Sequence, residues 1–215
     1  VEPTPTEAEP ETPPESEAAP EDEAAGPRTF VVVPEESEVS YEVDEEFFSG
    51  ALDSLGIVAG LTKTIGKTSD INGSLTIDFS ASPPQLVSGE FAVDISTLSS
   101  DQSRRDNQIR QRYLESSRFP IASFVASQIQ NAPDSYADGQ PVTFQLAGDL
   151  TVREITQPVV FDVEATLQED TISGEATTLI KMSDFGVTPP EFANVFTVAD
   201  DTVIRIMLNA VEQAQ

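Results

Sequence analysis

From residue 29 onward, apolar and polar side chains alternate in short runs with period two, the signature of half-buried β-strands. A β-branched run at 29–33 opens the series, and 37–44 places Val39, Tyr41 and Val43 on one face. Residues 73–80 turn Leu75, Ile77 and Phe79 the same way, and 86–96 continue through Phe91, Val93 and Ile95. Further strands are predicted at 121–129, 142–153, 158–167, 171–182 and 202–211. Turn signals at Ser82-Pro83-Pro84, Asn131-Ala132-Pro133-Asp134 and Asp138-Gly139 divide them, and Asn72-Gly73 also reads as a hairpin turn. One stretch keeps another period: across 101–115, Ile109, Tyr113 and Leu114 fall at helical spacing. Residues 47–66 mix Phe47, Phe48, Leu52, Leu55 and Val58 with glycines and read as strand, lid or both.

Strands with one apolar face must close on themselves or pack on a partner sheet, because open edges invite aggregation. The expected fold is all-β: an extended up-and-down antiparallel barrel of about eight strands with one short helix. Such a barrel has an interior just wide enough for its own side chains or for one slender ligand.

Residues 1–28 do not join this pattern. Val1 is their only large apolar side chain, nine acidic residues face one Arg, and seven of the sixteen prolines lie there. Such a segment cannot bury enough apolar surface to offset its ordering entropy, so it is expected to be a disordered, extended tether to a domain at 29–215. A Pro/Glu/Thr tether, in a chain beginning with Val rather than Met, suits an exported protein in the periplasm or at the cell surface. It is compatible with membrane proximity through a removed N-terminal segment, and the sequence is equally compatible with a dimer.

Composition excludes more chemistry than it suggests. The chain has no cysteine and no histidine, which removes disulfides, thiolate nucleophiles, the Ser-His-Asp triad and most zinc or copper sites. A net charge of −27 argues against a nucleic-acid partner, whose backbone it would repel. No catalytic, metal-binding or cofactor-binding set emerges. A hydrolase working with two carboxylates stays open as a minor alternative, but with 38 acidic residues chance proximity has little specificity. The Asp184-Phe185-Gly186 tripeptide matches a kinase magnesium motif by coincidence, since no glycine-rich ATP loop accompanies it.

Against this acidity, five of the eleven Lys and Arg residues gather at Arg104, Arg105, Arg110, Arg112 and Arg118. Two readings stand side by side. The cluster places cations near an anionic headgroup, where guanidinium forks pair with phosphate oxygens, or it balances an acidic surface, with Arg105 and Asp106 as structural residues.

Three blocks carry a resemblance. The first is Arg105-Asp106, Ile109-Arg110, Phe119-Pro120 and Phe124; the second runs from Gly148-Asp149-Leu150-Thr151 to Thr156-Gln157-Pro158-Val159; the third is Asp184-Phe185-Gly186-Val187. In this order they resemble the YceI-like family, lipocalin-like barrels associated with polyisoprenoid binding. The chain departs from the family pattern at Gln108, where His is frequent, at Glu154, where a second glycine is usual, and at Lys181-Met182-Ser183, where Arg usually precedes the late Asp-Phe-Gly. The resemblance implies a non-enzymatic carrier for an isoprenoid lipid or quinone-like chain. Its ligand-binding set would be Phe47, Phe48, Leu52, Leu55, Val58, Arg105, Ile109, Tyr113, Phe119, Phe124, Phe144, Phe185, Phe192 and Phe196. The alternative is an interaction domain whose barrel is filled by these same side chains as ordinary core.

Overall fold

The computed structural model describes residues 26–48, 59–192 and 195–214. Its strands are β1 (Pro27–Val32), β2 (Glu38–Phe47), β3 (Gly60–Thr68), β4 (Ile71–Asp78), β5 (Gln85–Asp94), β6 (Ile121–Gln130), β7 (Pro141–Val152), β8 (Ile155–Gln168), β9 (Thr171–Lys181), β10 (Glu191–Phe192) and β11 (Phe196–Glu212). One short helix, α1 (Ser103–Gln108), runs on into a π-helical turn, Ile109–Tyr113.

All pairings between strands are antiparallel, and the ring β1-β4-β5-β6-β7-β8-β9-β11 closes because β11 pairs back onto β1. The strand segments make an eight-stranded barrel because two strands bend. The turn Pro34–Glu36 divides β1 from β2, yet both run along β11: Phe30 pairs with Glu212 and Ile206 with Val39. On the other side, β3 pairs with β2 and β4 with β1. A proline that cannot donate to the ladder supplies the first bend.

Three expectations are corrected. The tether was expected to run to residue 28, but Pro27 and Arg28 belong to β1. Arg28 donates to the Glu212 carboxylate at 2.6 Å and to the Glu169 carbonyl at 2.6 Å, and its guanidinium lies 5.2 Å from the centre of the Phe30 ring. These contacts order the strand two residues before its apolar run begins. Asn72-Gly73 forms no turn and lies inside β4, where a Cβ at position 73 would collide with the Glu90 carbonyl across the ladder. Close approach of β5, not a reversal of the chain, requires that glycine. The last strand begins at Phe196 rather than 202, through an irregular stretch between Val198 and Thr202.

The core is not uniform along the barrel. At one end Phe30, Leu75, Ile77, Leu167, Ile172 and Ala210 pack together, with Phe79 and Tyr136 against them, their rings 5.0 Å apart. Phe30 is fully buried. Toward the other end a second cluster forms around Phe124, Leu146, Leu150, Phe161 and Phe185. The first cluster seals the barrel; the second lines it.

Candidate functional site

Between β3 and β5 the ring has a gap at the end away from the sealed cluster, where β2 and β3 rise as a hairpin. Among the described residues a single bridge, Lys67 to Ser99, joins β3 to the chain leaving β5. The helical segment crosses this gap, held by polar side chains. Arg105 donates to Thr64 Oγ1 at 3.1 Å and to Ser100 Oγ at 3.3 Å, lies 3.6 Å from the Glu45 carboxylate, and is ion-paired with Asp101. The buried Asp106 accepts from both the backbone and the hydroxyl of Ser100, at 3.0 and 2.6 Å. Arg110 is committed to the Leu98 carbonyl at 2.6 Å and to Asn107 at 2.8 Å. Two residues of the basic cluster thus differ in duty from the rest: Arg105 and Arg110, together with the acidic Asp106, pin the helix over the gap.

Beneath the helix lies a cavity of about 1030 Å³, at the upper end of the range for pockets that enclose small molecules. Its floor is Leu75 and Ile172, shared with the sealed end. Its walls come from inward positions around the barrel, and along β11 they extend from Phe196 to Leu208. At about 3.3 Å per residue, that is up to roughly 40 Å of strand.

Phe124 forms the waist. Its ring meets Phe161 edge-on at 5.1 Å, stacks beside Phe91 at 6.5 Å, and lies across Gly148, where a Cβ would come within 2.6 Å of it. The glycine of the second sequence block is there to admit the phenylalanine of the first. At the open lip, Phe47 and Phe196 are 5.7 Å apart and Phe192 stacks beside Phe196 at 6.5 Å. Tyr41 stands under the helix against Gly66, and burial pushes its hydroxyl up to about 12 from an ordinary 10.0.

Of the residues expected to bind ligand, the cavity lining brings together Phe47, Arg105, Ile109, Tyr113, Phe124, Phe144, Phe185, Phe192 and Phe196. Phe48 and Phe119 do not join them. Strand alternation turns Phe47 inward and leaves Phe48 partly in solvent, while Phe119 packs beneath the Arg118 guanidinium at 4.6 Å. Leu52, Leu55 and Val58 lie outside the described residues. Sequence reasoning left Tyr41, Phe91 and Phe161 out of the site although their alternating patterns carried the signal. It also missed the buried Glu45 and Thr64, which no pattern marks.

The three sequence blocks also meet at this end. Arg153, within the second block, is ion-paired with Glu115 and donates to the Gly186 carbonyl at 3.0 Å; Gln157 donates to the Asp184 carbonyl at 2.9 Å. The Asp-Phe-Gly element is a tight helical turn, ended by Gly186 in the left-handed conformation, that buries Phe185 in the cavity wall. The blocks are the parts of one rim.

Comparison with known proteins agrees with this architecture. Residues 30–210 match the family model of the YceI-like domain. A UPF0312 protein of Pseudomonas putida is 30% identical over 161 residues, covering 70% of this chain and 77% of the relative. One of Pseudomonas fluorescens is 30% identical over 155 residues, 68% and 75% respectively. Among solved structures, Burkholderia cenocepacia BcnA superposes with a TM-score of 0.61 at 21% identity, covering 84% of this chain and 99% of that one. A polyisoprenoid binding domain from Saccharophagus degradans gives 0.60 at 10% identity, covering 86% and 98%. At these identities the structural likeness shows the shared fold.

Proposed function

This chain belongs to the YceI-like family, and from that premise we propose that it is a non-enzymatic carrier holding a long apolar molecule, an isoprenoid lipid or quinone-like chain, inside its barrel. The observation that carries this reading is the unfilled interior. A barrel packed by its own side chains leaves few voids larger than a water molecule, whereas this one keeps about 1030 Å³ open behind an aromatic lip. The likeness to a polyisoprenoid binding domain supports the same class of ligand.

Energetics favour a long chain. Each buried CH₂ contributes roughly 0.8 kcal/mol, so ten carbons contribute about 8 kcal/mol before the costs of association. Affinity of that size needs no strong headgroup contact. We further place the protein outside the cytoplasm, with residues 1–26 as a spacer. The barrel itself begins at the sealed end, where Pro27 pairs with Asp78.

Native mass spectrometry of protein purified without detergent, followed by organic extraction, tests the proposal. A stoichiometric apolar adduct released on denaturation is the expected result. A bare mass that persists after incubation with prenyl alcohols and quinones would refute it.

A further inference from the structure

The barrel keeps its aromatic side chains from solvent except in one place. Among the described residues only Phe48 and Phe192 are exposed aromatics, at 38% and 63%, and both stand on the lip of the chamber. Strand pairing brings them together. The Phe48 amide donates to the Val195 carbonyl at 2.8 Å, and Phe192 pairs with Phe196, whose ring meets that of Phe47. Leu61 joins them on β3, one residue past the pair formed by Gly60 and Phe47. At 80% it is the most exposed of the large apolar residues described. Alternation explains its direction: Thr62 and Thr64 line the chamber, and with Thr62 turned inward its neighbour Leu61 faces out.

None of the three belongs to a buried cluster, so core packing does not account for them. Exposed aromatic and aliphatic side chains gathered at a rim suit a boundary that is apolar on one side and wet on the other. The charges at the same end identify that boundary. Arg104 and Arg112 are exposed and, among the described residues, ion-paired with no carboxylate. Against them stand the exposed Glu46, which pairs with Leu61, and the exposed Glu191, which precedes Phe192. This mixed lip contrasts with a chain of net charge −27. An anionic surface gains nothing from balanced charges and is opposed by the acidic body, as is a second copy of the chain. A zwitterionic headgroup layer offers phosphates to the arginines and ammonium groups to the glutamates.

Resting on the carrier reading, we propose that the lip docks the barrel end-on onto a zwitterionic phospholipid bilayer. Phe48, Leu61 and Phe192 enter the interface, and the chamber opens directly onto the lipid. An apolar cargo then passes between bilayer and barrel without crossing water. Apolar burial supplies the attraction, and the balanced charges fix the orientation. Burying one side chain of this size changes a partition coefficient by roughly tenfold or more.

The chain contains no tryptophan, so a single one placed at the lip reports on that position alone. Leu61→Trp is the probe, because Leu61 lies outside the cavity lining. Val87→Trp is its counterpart, since Val87 is 58% exposed at the sealed end, beside the pair formed by Leu86 and Ile77. Phosphatidylcholine vesicles with brominated acyl chains should quench the Leu61→Trp emission and shift it to the blue, and should leave Val87→Trp unchanged. In cosedimentation of the full chain with phosphatidylcholine vesicles, Leu61→Ser and Phe192→Ser should each lower the partition about tenfold. Val87→Ser should not lower it, and adding phosphatidylglycerol should not raise it. Because the substituted residues are exposed, circular dichroism should show all variants folded. Absence of cosedimentation, or equal quenching of the two probes, would overturn docking through the lip. An apolar adduct retained in native mass spectrometry would then leave the carrier reading standing. Partition that tightens with phosphatidylglycerol would make the arginines the anchor and overturn the zwitterionic surface.

Discussion

Ala176→Leu separates a chamber from a packed core by stability alone. Ala176 lies on β9, opposite Val163 on one side and Ile206 on the other, and its methyl group faces the cavity. In a close-packed interior, enlarging such a residue forces side chains off their rotamers and costs about 1–3 kcal/mol. Here the three added carbons enter open space. At roughly 0.8 kcal/mol per buried carbon their gain is at most about 2.4 kcal/mol, and less where the cavity opens to solvent. The expected change therefore runs from zero to about 2 kcal/mol of stabilisation, or a melting temperature up to roughly 4–8 °C higher. Gly148→Leu provides the contrast: its side chain would strike the Phe124 ring and the Val125 carbonyl, and should destabilise by more than about 2 kcal/mol. Urea denaturation of ligand-free protein reads both. Ala176→Leu should also weaken binding of a prenyl ligand by displacing it. A loss of 1–3 kcal/mol on Ala176→Leu would mean the interior is already full, and the carrier reading would fall with it.

Further outcomes follow from the same geometry. Phe124→Ser should reduce retention of an apolar ligand, whereas Phe119→Ser, outside the cavity lining, should leave retention unchanged in the folded protein; lipid extraction from purified variants distinguishes them, and equal losses would misplace the wall. The Tyr41 hydroxyl titrates near 12 in the folded protein against 10.0 ordinarily, because burial disfavours its anion. The folded state then holds a proton that the unfolded chain has lost between those values. Stability is full below pH 10 and should fall by up to about 1.4 kcal/mol per pH unit from 10 to 12. Tyr41→Phe should flatten that slope in denaturation curves taken at pH 9–12, and an unchanged slope would assign it to other groups. Phe30→Ala should cost about 3–5 kcal/mol, more than Phe124→Ala, because Phe30 is packed on all sides at the sealed end while Phe124 already borders a void.

Much of this protein follows from local pattern. Period-two alternation identifies strands because a pleated chain must send successive side chains to opposite faces, and so Val39, Tyr41 and Val43 point inward together. The helix at 101–115 is legible from the spacing of Ile109 and Tyr113, though not its π-helical turn, which depends on what the segment must span. The lack of histidine and cysteine removes whole classes of chemistry before any fold is known. Phe47, Phe124, Phe144, Phe185 and Phe196 can be named as candidate wall residues on this basis and on family resemblance.

Tertiary structure decided the rest, because it concerns which distant groups meet. Nothing local separates Phe119, packed under Arg118, from Phe124, which forms the waist five residues later. The duties of the arginines are likewise invisible in a sequence where they read as one cluster: Arg105 is drawn down to Glu45 and Thr64 on neighbouring strands, while Arg104 is left at the lip. Asn72-Gly73 has the chemistry of a turn but the neighbours of a strand, and the neighbours prevail because the Glu90 carbonyl leaves no room for a Cβ. Whether inward-facing phenylalanines fill a barrel or enclose a chamber depends on its circumference and on the gap that α1 spans. Those are properties of the closed ring, and no single strand contains them.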